Sequence, residues 1–241
     1  MTLDHNYNIE AAQLALKIKF IYLNFVYENF RAARENLKKV GKMSGYKSDE
    51  DHEDKPVKRV KKSKINCGSK RAGPNILVTG TPGTGKSTLC RRLVDGNTLK
   101  WINVGDFATQ AGCLGEWDER YDCHELDEDK LIDELEDIMA EGNVVVEHHV
   151  TDIFPERWFD AVFVLRTSNT QLYDRLKQRN YNAKKLEDNV QCEIFQTILD
   201  EAQESYKPEI VHQLSSNQNE EIETNALNIL HWVQQWKKDN H

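Results

Sequence analysis

The sequence predicts an α/β protein: a parallel five-stranded sheet with helices on both faces. Two patterns and one motif predict it. Short, nearly continuous apolar runs recur over residues 74–241, as in strands buried on both faces. Amphipathic stretches alternate with them, as crossover helices must in a parallel sheet. A glycine-rich string, Gly80-Thr81-Pro82-Gly83-Thr84-Gly85-Lys86-Ser87, stands where the first apolar run gives way to a helical stretch.

Two segments of different composition precede this domain. Residues 1–43 read as an amphipathic helix, because Leu16, Phe20, Leu23, Tyr27, Phe30, Ala33, Leu37 and Val40 recur at spacings of three and four. Such a helix needs a surface for its apolar face, either the main domain, another copy or a partner. Residues 44–73 read as a charged, disordered linker. Asp49, Glu50, Asp51, Glu53 and Asp54 are followed by a run of lysines and arginines from Lys55 to Arg71, and such blocks bury no core. Within it, Lys58-Arg59-Val60-Lys61 resembles a short nuclear-import signal; the alternative is a plain solvated linker.

In the domain, Ile76–Thr79, Lys100–Val104, Val144–Glu147, Ala161–Leu165 and Ile210–Leu214 read as strands. Ser87–Asp95, Asp127–Glu141, Asn169–Arg179, Lys185–Tyr206 and Glu220–Trp236 read as helices. The chain of 241 residues has 39% hydrophobic and 30% charged residues, which fits a folded core with a polar appendage. Its net charge of -8 makes non-specific nucleic-acid binding a poor reading, so any such contact must come from a local basic patch. Five cysteines without C-x-x-C spacing argue against a zinc site or a disulfide framework and for a reducing compartment. No basic leader and no uninterrupted membrane-length apolar run is present, since Lys17, Lys19 and Glu28 break the best candidate.

The glycine-rich string matches G-x-x-x-x-G-K-[ST] between a strand and a helix, the context of a P-loop. Glycines let several N–H groups converge on an anion, and a helix N-terminus adds partial positive charge. Gly83, Gly85, Lys86, Ser87 and Thr88 are therefore candidates for binding a nucleotide triphosphate, Lys86 reaching the β and γ phosphates and the Ser87 hydroxyl coordinating Mg²⁺. No N-K-x-D follows to select guanine, and the remaining length is short for a motor ATPase, so a small P-loop kinase fits best. Phosphoryl transfer needs a second acid near the metal. Glu147, ending the third apolar run, supplies a carboxylate for Mg²⁺, and His148 and His149 follow it. A hydrogen-bonded structural role is open to either histidine.

Several strings together resemble the nuclear adenylate kinase 6 family, also described as a coilin-interacting nuclear ATPase and ribosome-assembly factor. They are the P-loop, Ile102-Asn103-Val104-Gly105-Asp106, Tyr121-Asp122-Cys123, Phe154-Pro155-Glu156-Arg157-Trp158, Val164-Leu165-Arg166-Thr167 and Asp188-Asn189-Val190-Gln191-Cys192-Glu193. The resemblance runs from about Asn75 to the end. It implies an adenylate-kinase-like fold with a short NMP-binding segment, Asn103 to Leu126, and a short lid, Gln178 to Asp188. On the matched positions Asn103, Gly105 and Asp106 would contact the monophosphate, and Arg179 would be the lid arginine that packs on ATP. Arg166 and Arg175 are further candidates for phosphate contacts. His149 would be the catalytic histidine of the family's Asp-x-His element, alongside Lys86 and Glu147.

Three positions depart from the family pattern. Glu147 replaces its aspartate, Thr109 an arginine of the NMP segment, and Val150 the glycine after the histidine. The departures predict weakened kinase turnover with ATP binding retained. The resemblance implies the reaction ATP + AMP = 2 ADP. It equally implies an ATP-driven switch with weak kinase activity, acting with a small-subunit ribosomal protein in 18S rRNA maturation, in nucleus and cytoplasm.

Overall fold

The computed structural model describes residues 71–118 and 123–240. The expected N-terminal helix, the import-like string and the tip of the NMP segment at 119–122 lie outside the described residues.

Five parallel strands form the sheet: β1 (Ile76–Thr79), β2 (Lys100–Asn103), β5 (Val144–Glu147), β6 (Ala161–Arg166) and β7 (Val211–Ser215), in the order β2-β5-β1-β6-β7. The phosphate-loop strand β1 is thus central, with β5 and β6 as neighbours. Side chains alternate across the sheet with the strand period of two. Leu77, Val144, Val146, Val162 and Val164 face one layer of helices, α2 (Val104–Ala111), α3 (Glu128–Glu141) and α6 (Thr197–Ser205). Ile76, Val78, Val145, Ala161 and Phe163 face the other, α1 (Lys86–Val94) and α7 (Asn219–Asn240). Both faces are covered, which is why Ile-Leu-Val-Thr and Val-Val-Val-Glu carry no polar alternation. The remaining helices are α4 (Asn169–Gln178) and α5 (Ala183–Ile194). No described helix is long and apolar enough to cross a membrane, and Cys90, Cys113 and Cys192 are free thiols.

One polar residue ties the layers together at the start of β1. Asn75 is fully buried. Its amide nitrogen donates to the Met139 carbonyl at 2.7 Å, and its side-chain oxygen accepts from the Val144 N–H at 3.2 Å. Asp160 closes the same corner, accepting from the Asn75 N–H at 2.8 Å and from Arg71 at 2.7 Å. The Ala72 N–H donates to the Glu141 carbonyl, and the Gly73 carbonyl accepts from Asn143. Arg71 to Gly73, read from their charge as the end of the linker, are therefore bonded into the domain, which begins no later than Arg71. Composition assigned them outward because a single half-buried ion pair leaves no hydrophobic signal.

Three further features differ from the expected elements. The segment between β2 and α3 contains α2, capped by the Asn103 side chain accepting from the Asp106 N–H. It also contains an antiparallel hairpin, β3 (Leu114–Asp118) with β4 (Cys123–Leu126), which carries a register shift between Leu114 and Trp117. The stretch expected as one helix from Lys185 to Tyr206 is two, α5 and α6, broken where Gln196 adopts φ 58. The break lets Glu193 point inward at the phosphate loop while Ile198, Leu199 and Ala202 enter the core. No glycine or proline marks it, so helical periodicity runs on through it.

Candidate active site

All five strands end at the edge of the sheet where the phosphate loop leaves β1, the usual position of a ligand site in an open parallel sheet. The loop is shaped by backbone that side chains resist. Gly80 has φ 135, and a Cβ there would stand 2.5 Å from the Leu165 carbonyl oxygen. Gly85 has φ 99 and serves as the N-cap of α1. Thr84 closes the inner turn, its N–H and hydroxyl both donating to the Thr81 carbonyl at 3.1 and 2.8 Å. From outside, Arg175 donates to the carbonyls of Gly83, Ser216 and Asn217, and the Ser216 hydroxyl donates to that of Thr84 at 2.6 Å. The guanidinium expected as a phosphate contact is instead a brace behind the loop.

The first turn of α1 has no side-chain cap and no acid. Its N–H groups are thus presented to an anion with nothing to repel it. Lys86 folds back over the loop, its ammonium donating to the carbonyls of Gly80 at 2.7 Å and Thr81 at 3.2 Å. Burial lowers its pKa to about 8, against the opposing pull of the Glu147 carboxylate.

Glu147 lies at the end of β5, beside β1, and is 5% exposed. Three donors hold its carboxylate: the Ser87 hydroxyl on Oε1 at 2.6 Å, and the Trp101 indole N–H and the Asn103 amide on Oε2, each at 3.1 Å. A hydroxyl and a carboxylate in contact form a hard oxygen pair that suits Mg²⁺, an ion that takes oxygen ligands and keeps several from water or phosphate. The longer side chain of glutamate therefore still reaches the serine.

The two histidine rings stay together, centroids 4.6 Å apart, but meet different surroundings. His149 lines the cleft, whereas His148 turns edge-on to Phe154 with ring centroids 5.9 Å apart. Burial lowers both pKa values, His148 well below the usual range and His149 to about 4, the latter helped by the charges of Lys86 and Lys185. A neutral His149 at pH 7 keeps one ring N–H donor and one acceptor nitrogen but brings no positive charge to the cleft.

A cleft of about 580 Å³ gathers Gly83, Gly85, Lys86, Ser87, Thr88, Glu147, His149 and Arg179 into one wall. These residues, expected from the sequence to hold ATP, metal or the catalytic proton, meet in one place, whereas Arg166 and Arg175 stand outside it. The expected monophosphate contacts do not enter that wall. The Asn103 side chain is engaged with Glu147 and as the cap of α2, and Gly105 and Asp106 lie in the first turn of that helix. Thr109 donates to the Gly105 carbonyl at 2.9 Å, within its own helix. Arg166, expected near phosphate, is bound to Glu193 through Nε at 2.6 Å. Glu193 is 2% exposed; its other oxygen accepts from the Thr81 hydroxyl at 2.5 Å.

Sequence reasoning missed Trp101, Tyr181 and Lys185. The last two line the cleft from the lid, with the Lys185 ammonium 5.1 Å from the Tyr181 ring centroid. Trp101 was findable in principle. It is two residues before Asn103 on β2, so both side chains share the face on which Asn103 pairs with Glu147.

Comparison with known proteins is specific. A family model described as an AAA domain matches residues 76–196. The adenylate kinase isoenzyme 6 homolog of Drosophila melanogaster is 51% identical over 165 residues, 68% of this chain and 94% of the fly protein. The protein of the same name from Dictyostelium discoideum is 48% identical over 172 residues, 71% of this chain and 98% of its own. That of Caenorhabditis elegans is 46% identical over 172 residues, 70% of this chain and 94% of its own.

Proposed function

Since this chain belongs to the adenylate kinase isoenzyme 6 family, we propose that it binds ATP with Mg²⁺ in the cleft and transfers the γ-phosphoryl group to AMP. The observation that carries this reading is the contact between Ser87 and Glu147 in a cleft that Lys86 also lines. Mg²⁺ would be held by Ser87 and Glu147 and would neutralise charge on the β and γ phosphates. The loop N–H groups and Lys86 bind the same phosphates from the protein side, and Arg179 covers them from the lid. In the transfer, the γ-phosphorus breaks its bond to the bridging oxygen of ADP and bonds an oxygen of the AMP phosphate. That oxygen is already anionic, so a neutral His149 need remove no proton for this step. Hydrolysis differs, because water must lose a proton; the neutral His149 in the cleft wall is the candidate acceptor, a weak one given its lowered pKa.

A second reading, an ATP-driven assembly switch with weak kinase activity, is favoured by one observation. Thr109 directs its hydroxyl into its own helix and offers the monophosphate no charge. Its partner would be a basic ribosomal protein in small-subunit maturation, and its place nucleus and cytoplasm. ADP formation from purified protein, with and without AMP, separates the two. At least tenfold stimulation by AMP supports the kinase. Equal rates without AMP, raised by a small-subunit ribosomal protein, would replace it with the switch.

Lys86 gives the binding a definite pH dependence. Its pKa is about 8 in the free protein, and a triphosphate beside it raises that value. Between pH 8 and the higher value in the complex, binding takes up a proton. ATP affinity is thus expected to fall as pH rises above 8, by up to about tenfold per pH unit, and to be insensitive to this group below it. Calorimetry at pH 7 and 9, in buffers of differing ionisation heat, should show proton uptake at pH 9 only. Uptake at neither pH would remove Lys86 as the titrating group.

A further inference from the structure

Glu147 is held by more than a metal ligand needs. Its Oε1 faces the Ser87 hydroxyl, while Oε2 accepts two donors from a strand that contributes nothing to the phosphate loop. Both donors come from β2, Trp101 and Asn103, the latter in register with Glu147 across the parallel ladder. Asn103 is fixed at both ends of its amide, its oxygen accepting from the Asp106 N–H at 3.2 Å. The Trp101 ring packs against the apolar cluster that includes Val145 and Leu99, which restrains the indole. A glutamate has one more rotatable bond than an aspartate, so an unsupported carboxylate at its end would sample several positions relative to Ser87. With Oε2 clamped, only Oε1 remains to turn toward the serine and the cleft.

We propose that Trp101 is a positioning residue, whose indole N–H, with Asn103, locks the Glu147 carboxylate so that Oε1 and the Ser87 hydroxyl form a preset pair for the Mg²⁺ of bound nucleotide. Trp101 does not itself line the cleft and acts on it through Glu147. Outer-sphere partners of this kind typically carry 10- to 100-fold in metal affinity. The inference rests on the Mg²⁺–ATP reading of the cleft.

Two substitutions separate the N–H from the ring. Trp101→Phe keeps an aromatic ring on the layer and removes the donor. Trp101→His removes the six-membered ring and keeps a ring N–H that its Nε2 can place where the indole nitrogen stood. The measurement is the ATP dissociation constant by calorimetry, in excess Mg²⁺ and in EDTA, and their ratio is the Mg²⁺-dependent tightening. In Trp101→Phe the EDTA value is expected unchanged and the tightening reduced about tenfold. In Trp101→His at pH 8 the tightening is expected to stay within about threefold of the parent. The inference is overturned if Trp101→Phe retains the full tightening, or if EDTA and Mg²⁺ affinities fall together. It is overturned equally if Trp101→His loses as much as Trp101→Phe. Should either variant fail to fold, the other still decides between donor and packing. Absence of Mg²⁺-dependent tightening in the parent protein would instead refute the reading of the cleft itself.

Discussion

Lys86→Ala is expected to lower ATP turnover by about 10³-fold while leaving the fold intact. The ammonium is held over the phosphate loop by the carbonyls of Gly80 and Thr81, which keeps its charge beside the loop that would cradle the triphosphate. Preorganised groups of this kind contribute about 3 to 4 kcal/mol each to transfer reactions. The site is buried, which makes a single positive charge count for more than it would in water. The fold should survive, because alanine keeps helix α1 and water can bond the two released carbonyls. Lys86→Arg should also lose at least about a hundredfold, since a planar fork does not replace a point charge in a loop this tight. ADP formation at saturating ATP and Mg²⁺, with thermal melting alongside, measures both. A variant within tenfold of the parent at an unchanged melting temperature would refute the phosphate-cradle assignment.

The largest effect on stability is expected at Glu193. Its carboxylate accepts from Arg166 Nε at 2.6 Å, from the Thr167 N–H at 3.2 Å and from the Thr81 hydroxyl, deep in the domain. The side chains of Arg166 and Glu193 are 17% and 2% exposed, so solvent screens the pair little. Glu193→Ala leaves a guanidinium without its counter-charge and is expected to cost about 3 kcal/mol, within the range for breaking a buried pair from one side. For a domain of this size that is a melting shift of roughly 6 to 12 °C. Glu193→Gln keeps acceptors and shape and should cost about half as much. Urea unfolding of both variants tests the ranking, and a loss under 1 kcal/mol in the alanine variant would contradict it. Because the same carboxylate anchors Thr81, ATP affinity should fall in step with stability.

The sheet and the phosphate loop were legible because each has a signal in one dimension. Strands covered on both faces show as unbroken apolar runs, and the loop's glycines, lysine and serine are contiguous. Glu147 was legible as the last residue of its strand, and the structure sets it against Ser87. What stayed hidden depends on neighbours distant in sequence. Asn103 shares a motif string with Asp106 and was therefore expected on the monophosphate, yet parallel pairing brings it to Glu147. Arg166 carries the charge a phosphate site wants, and only the turn of α5 into α6 shows that Glu193 claims it. Trp101 reads as an ordinary strand aromatic until β2 is known to pair with β5. Arg71 reads as the end of a basic linker until Asp160 is found beside it.

The depressed pKa of Lys86 has a chemical corollary. An amine that sheds its proton near pH 8 is a nucleophile in mildly alkaline solution, and this one faces an open cleft. Acylating or aldehyde reagents small enough to enter would modify the resting protein at a side chain it uses to grip phosphate. A bound triphosphate, by returning the proton and filling the entrance, would shield it. Occupancy of the cleft therefore doubles as covalent protection, and labelling of this lysine reports in a single step how much of the protein is loaded.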